Sequence, residues 1–249
     1  MNDVNNYQPL IGFYYSLSGL KLIFKPGLKR FVIIPALINL LLYVGLFILL
    51  KHYMHLFNVW FESYLPPWLQ WLGAILWLLF FIGIFLVFIY TFVTIANLIA
   101  APFNSLLAQK VQTYLTEKSP PNQTYWDNIK NVPQSVGRQF GILLYYLPRA
   151  FLLFVLFFVP VVQTVAPFLW FLFNSWFVAM TYLDYPSENN HVDLRAMRTW
   201  LKQRRFSILG FGIGALCLTM IPIINFIAMP AAVAGATKFW VNANLKSNY

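Results

Sequence analysis

The sequence predicts an all-helical (all-α) integral membrane protein. It has two long transmembrane helices, two re-entrant, partially inserted helical hairpins, an N-terminal amphipathic helix and a cytoplasmic helical extension. Three observations carry that prediction. Of 249 residues, 60% are hydrophobic and only 10% charged, against roughly 45–50% and about 25% in soluble domains. So few charges cannot cover a soluble surface, whereas a bilayer solvates the apolar excess. Aromatic residues reach 19%, with 9 Trp, 14 Tyr and 25 Phe, which suits interfacial girdles and lipid-facing surfaces. The 17 Lys and Arg outnumber the 7 Asp and Glu, and they flank the apolar segments. That is the positive-inside pattern, so no nucleic-acid partner is expected. The single cysteine, Cys217, allows neither an intramolecular disulfide nor a CxxC pair.

Along the chain, residues 1–30 read as an interfacial amphipathic helix followed by a short loop. Leu10, Phe13, Tyr14, Leu17, Leu20 and Phe24 recur at helical spacing, with Ser18, Lys21 and Lys25 on another face. Lys21, Lys25, Lys29 and Arg30 against Asp3 put this end in the cytoplasm. Residues 31–50 form the first spanning helix, long enough for ~30 Å of hydrocarbon. Residues 51–70, with Trp60, Tyr64, Trp68 and the Pro66-Pro67 turn, read as a periplasmic loop. Residues 71–101 form the second spanning helix. Residues 104–149 read as two amphipathic cytoplasmic helices around Ser119-Pro-Pro-Asn122, the second kinked at Pro133.

Residues 150–183 and 206–234 are each too long for one upright helix and are broken in the middle. Pro160-Val-Val-Gln-Thr-Val-Ala-Pro167 and Pro222-Ile-Ile-Asn-Phe-Ile-Ala-Met-Pro230 share a pattern that reads as one turn motif used twice. The linker between the two stretches carries Arg195, Arg198, Lys202, Arg204 and Arg205. A single crossing by residues 150–183 would place it opposite the equally basic 104–149 segment, against the positive-inside rule. Two re-entrant hairpins remove the conflict and return Lys238 and Lys246 to the cytoplasm. Gln163 and Asn225 then sit at the tips, as candidate pathway residues, where amides can satisfy freed backbone groups. The rival, two full crossings per stretch, leaves bare-minimum legs and no residues for the turn.

No catalytic residue, cofactor or metal is expected. His52 and His55 lack ligand companions, and Asp184, Glu188, His191 and Asp193 read as a solvated charged turn. No phosphate-binding loop, nucleophile elbow or HExxH pattern occurs. The apolar stretches hold no Asp, Glu, Lys, Arg or His, which argues against a buried coupling carboxylate and for channel-like conduction. The most pointed feature is Lys25-Pro-Gly-Leu-Lys-Arg30, directly before the first spanning helix. Helix-start N–H groups near Gly27 and Leu28, with the Lys29 and Arg30 cations, make an oxyanion site. Ordinary juxtamembrane charge that fixes topology is the plain alternative.

The stretches Gly12-Phe-Tyr-Tyr15, Pro26-Gly-Leu-Lys-Arg-Phe-Val-Ile-Ile-Pro35, Ile99-Ala-Ala-Pro-Phe-Asn104, Tyr146-Leu-Pro-Arg-Ala150, Gln163-Thr-Val-Ala-Pro167 and Asp184-Tyr-Pro186 follow one another along the chain. Together they resemble the bacterial sulfate permease CysZ family. The resemblance implies sulfate uptake into the cytoplasm for cysteine synthesis by a homo-oligomer in the bacterial inner membrane, its hairpins partially inserted. It also implies a sulfate site at Gly27, Leu28, Lys29 and Arg30. Lys29 departs from the arginine common in the family, and Gln109 from a common acidic residue. The competing classes are a non-transporting membrane scaffold or interaction protein and, more weakly, an interfacial lipid-modifying enzyme.

Overall fold

The computed structural model describes residues 8–64, 70–117 and 132–245, and no strand occurs among them. Among the described residues eight α-helices follow in order: α1 Pro9–Ile23, α2 Arg30–Tyr64, α3 Gln70–Thr116, α4 Val132–Leu156, α5 Ala166–Asn189, α6 Leu194–Gln203, α7 Arg205–Met220 and α8 Pro222–Leu245. Five stretches among the described residues are long and apolar enough to cross a membrane: Arg30–Phe61, Ile75–Thr116, Gly137–Leu156, Ala166–Asn189 and Pro222–Asn244. The chain divides into two compact units, one of Met1–Val32 with Pro102–Tyr249 and one of Ile33–Ala101.

In the 33–101 unit, α2 and α3 pair antiparallel through aromatic rings. Tyr43 meets Phe92 edge-on at 5.6 Å, while Phe57 stacks on Phe80 with centroids 3.5 Å apart. Both helices outrun the segments expected from apolarity. At ~1.5 Å per residue, α2 and α3, with 35 and 47 residues, exceed ~30 Å of hydrocarbon. Residues 51–64 are therefore helical and not loop, because no Gly or Pro interrupts the chain between 46 and 64. His52 and His55 lie exposed on that helix. The expected cytoplasmic helix after residue 104 is the unbroken end of α3. Pro66-Pro67, Ser119-Pro-Pro-Asn122, Asp127 and Lys246 lie outside the described residues.

The other unit holds two helix-break-helix pairs. Between α4 and α5 the chain turns through residues 157–165, including a short 3-10 helix at Val162–Thr164. Tyr146 stacks on Phe173 at 5.0 Å, and Phe157 meets Trp170 at 6.1 Å, so the two helices run antiparallel. α7 and α8 are separated by Ile221 alone, in an extended conformation. The two proline motifs therefore do not build the same turn. Pro167 opens α5 within its first turn, whereas Pro222 opens α8 and Pro230 lies inside it. The legs are also longer than the apolar stretches suggest, with 25, 24, 16 and 24 residues in α4, α5, α7 and α8. Pro133 is the second described residue of α4, and the residues before Val132 lie outside the described range.

The packing logic is that of a membrane interior. α1 lies against α7 and α8 through its small residues Gly12, Ser16 and Gly19, all buried. A Cβ at Gly12 would overlap the carbonyl of Ser207, one at Gly19 that of Ala231, and one at Gly235 that of Tyr15. Small residues let helix backbones approach closely where lipid supplies no hydrophobic drive between helices. The large apolar residues of the expected interfacial stripe stay outside this contact: Leu10, Tyr14, Leu17 and Phe24 are all exposed. In α4, Phe140 and Leu143 are likewise exposed, whereas Ile142 is buried.

Candidate functional site

Residues 24–29 form a turn between α1 and α2. The Leu28 N–H donates to Lys25 O at 3.1 Å, and Gly27 has φ +84. Proline second and a left-handed residue third is the type II arrangement, which glycine adopts without the penalty of a Cβ. Leu28 anchors the turn. Its buried side chain packs in a cluster with Leu22, Ile23, Leu107, Val111 and Val233, from the end of α1, the tail of α3 and α8. Around that anchor, Lys25, Gly27, Lys29 and Arg30 are exposed. Nothing would lie within 4 Å of a Cβ on Gly27, so the backbone there is open to approach.

The hydrogen bonds divide the backbone donors. Phe31 N–H reaches Leu28 O at 3.0 Å, Val32 N–H reaches Lys29 O at 3.0 Å, and the Leu28 N–H serves the turn. Among the described residues, the N–H groups of Gly27, Lys29 and Arg30 meet no backbone acceptor. The donors available to an anion are thus those three, and Leu28 contributes position. The Arg30 guanidinium lies over the Phe31 ring, 5.0 Å from its centroid. One short segment therefore presents a helix start, exposed N–H groups and three cationic side chains at a rigidly seated turn. That combination can bind a tetrahedral oxyanion.

Gln163 and Asn225 belong elsewhere. Gln163 is exposed in the turn between α4 and α5, with its N–H on Val159 O at 3.0 Å. Asn225 is exposed in the first turn of α8, with its N–H on Ile221 O at 2.8 Å. Neither amide side chain hydrogen-bonds within the described residues. The two are not brought to the 25–30 turn.

The residues that sequence reasoning missed form a buried polar knot. Asp184 is 1% exposed and pairs with Arg138 at 2.6 Å, so it is no solvated turn residue. Arg138 also donates to Val192 O at 2.6 Å and Ser187 Oγ at 2.9 Å, and Gln139 Nε2 donates to Asp184 Oδ2 at 3.3 Å. The knot ties α4 to the end of α5 and the link into α6. A second, uncharged network holds α3 to the end of α5. Gln112 and Asn190 exchange reciprocal amide bonds at 2.9 and 2.8 Å, and Ser105 Oγ donates to Asn189 Oδ1 at 2.9 Å. Neutral groups thus fasten the helix that carries Gln109, which contributes its carbonyl to Thr113 Oγ1 at 3.0 Å. The only available hint was Asp184-Tyr-Pro186, one of the stretches on which the resemblance rests. Among the described residues, no three His, Cys, Asp or Glu side chains are placed to hold a metal.

The family model described as sulfate transporter CysZ/etoposide-induced protein 2.4 matches residues 15–230, which include this turn, the α4–α5 pair, α7 and the start of α8. An all-helical chain with five helices long and apolar enough to span a bilayer among the described residues, matched over most of its length, belongs to the sulfate transporter CysZ/etoposide-induced protein 2.4 family.

Proposed function

We propose that this protein conducts sulfate through the bacterial inner membrane into the cytoplasm, feeding cysteine synthesis, and that it works as a homo-oligomer. The observation that carries this reading is the seated turn at residues 25–30, with its exposed cations and open N–H groups, in a chain of a sulfate-transporter family. Sulfate binds there through Gly27, Lys29 and Arg30, while buried Leu28 holds the turn. Conduction is passive. Asp184 is the one buried carboxylate among the described residues, and its pairing with Arg138 occupies it. In this reading the chain is a conduit and not an enzyme.

Binding to detergent-purified variants tests the site. A hydrogen bond to a charged group contributes roughly 1.5–3 kcal/mol. Arg30→Ala should therefore weaken sulfate binding about tenfold to a hundredfold, at 1.4 kcal/mol per factor of ten. Lys29→Ala should cost less, because ammonium is a point charge and guanidinium a planar fork, and Lys29→Arg should be tolerated. Gly27→Val should also impair binding. The cause is not crowding, since the space is open, but φ +84, which valine resists. Unchanged affinity in the Lys29→Ala, Arg30→Ala double variant would remove support for this site.

The hairpins are re-entrant in this proposal, and both termini are cytoplasmic. In a Cys217→Ser background, labels at Ser119 and Glu188 should report the cytoplasm, and a label at Glu62 the periplasm. The helix lengths alone would permit full crossings by α4, α5 and α8, so the basic linker is the stronger ground. Periplasmic labelling at Glu188 would contradict the hairpins.

A further inference from the structure

A cleft of about 650 Å³ lies between α4 and the start of α6, lined by Gly141, Tyr145, Arg149, Asp193, Arg195 and Arg198 among others. Three guanidinium groups share it with one carboxylate. Tyr145 organises two of them: Arg149 lies 3.8 Å and Arg198 4.6 Å from the same ring centroid. Further bonds fix the pair, Arg198 Nη2 to Gly141 O and Arg149 Nη1 to Tyr145 O, each at 2.7 Å. Among the described residues no carboxylate oxygen comes within 4 Å of any of the three arginines. The Nε of Arg198 is buried without a hydrogen-bond partner, a cost that a bound acceptor or its water shell relieves. Asp193 stands at the N-cap position of α6 without a side-chain capping bond, so the positive end of that ten-residue helix adds to the same wall.

We propose that this cleft binds a tetrahedral oxyanion, and that its occupant is the phosphate of an anionic phospholipid. Planar guanidinium forks match the oxygens of such a group. Its volume exceeds that of a bare tetrahedral ion and leaves room for a headgroup. Leu144, on the cleft wall, begins an exposed apolar stripe along α4 that continues through Leu147, Phe151 and Val155. That stripe gives an acyl chain a path away from the bound phosphate. Free sulfate shares the chemistry of the headgroup but has no use for the stripe.

The test measures binding of phosphatidylglycerol, phosphatidylcholine and inorganic sulfate to the purified full chain, by native mass spectrometry for lipids and calorimetry for sulfate. The Arg149→Gln, Arg195→Gln variant keeps the Arg198 anchor on Gly141. The Lys202→Gln, Arg205→Gln variant removes equal charge outside the cleft. Phosphatidylglycerol should bind in preference to phosphatidylcholine, and the cleft variant should weaken it about tenfold or more while the control does not. A cleft-dependent loss of sulfate binding without any lipid preference would keep the oxyanion site and overturn the lipid as its occupant. Equal losses in both variants, or none in either, would overturn the site itself. Arg30 is intact throughout, so the result does not depend on the sulfate site at the 25–30 turn.

Discussion

Arg138→Ala should lower stability by about 3–5 kcal/mol, because it strands a buried carboxylate. The substitution leaves Asp184, 1% exposed, without its counter-charge. It also removes the donors to Val192 O and Ser187 Oγ that join the link before α6 and the end of α5 to α4. Breaking one member of such a pair is costly, whereas replacing both with apolar groups of similar size is often neutral. The Arg138→Met, Asp184→Leu double variant should therefore recover most of the loss. Thermal unfolding in detergent reads both effects. An Arg138→Ala protein within about 1 kcal/mol of the parent would show that the pair is exposed to water and behaves as a surface salt bridge.

Gly19→Leu should be comparably damaging for a different reason. A Cβ there would overlap the Ala231 carbonyl and crowd the Gly235 nitrogen, both backbone, so no side chain can swing aside. The helices must part, and overpacking of this kind costs about 1–3 kcal/mol, with rigid backbone obstacles at the upper end or beyond. Gly45→Leu and Gly83→Leu are matched controls, because nothing lies within 4 Å of a Cβ at either position. They should leave stability unchanged or raise it slightly through helix propensity. A melting temperature lowered equally by Gly19→Leu and Gly45→Leu would contradict close packing of α1 on α8.

These two expectations show where the fold was legible. α2 and α3 were evident because each spanning segment is a long apolar run, although their ends were not. Lys51, His52 and His55 mark the edge of apolarity, and a helix continues through them because nothing in that stretch breaks it. The break between α4 and α5 was also evident, since Pro160 and Pro167 punctuate it. Pro222-Ile-Ile-Asn225 imitates that motif in composition, yet its proline begins a helix, a role the residue fills equally well. The buried face of α1 could not be read from hydrophobic periodicity. In lipid, the large apolar residues face outward and Gly12, Ser16 and Gly19 face inward. Arg138 and Asp184 stand 46 residues apart, and only the folding of α4 against α5 makes them a pair. At the 25–30 turn, sequence supplied the cations and the glycine. The use of the Leu28 N–H within the turn and the burial of its side chain required the structure.

Sulfate flux tests the central claim most directly. Purified protein in liposomes should admit radiolabelled sulfate down its gradient, in proportion to the imposed potential and without need of a proton gradient. The Lys29→Ala, Arg30→Ala variant, folded and inserted to the same extent, should lose most of that uptake. Uptake by the parent protein no faster than by empty liposomes would contradict sulfate conduction by this chain.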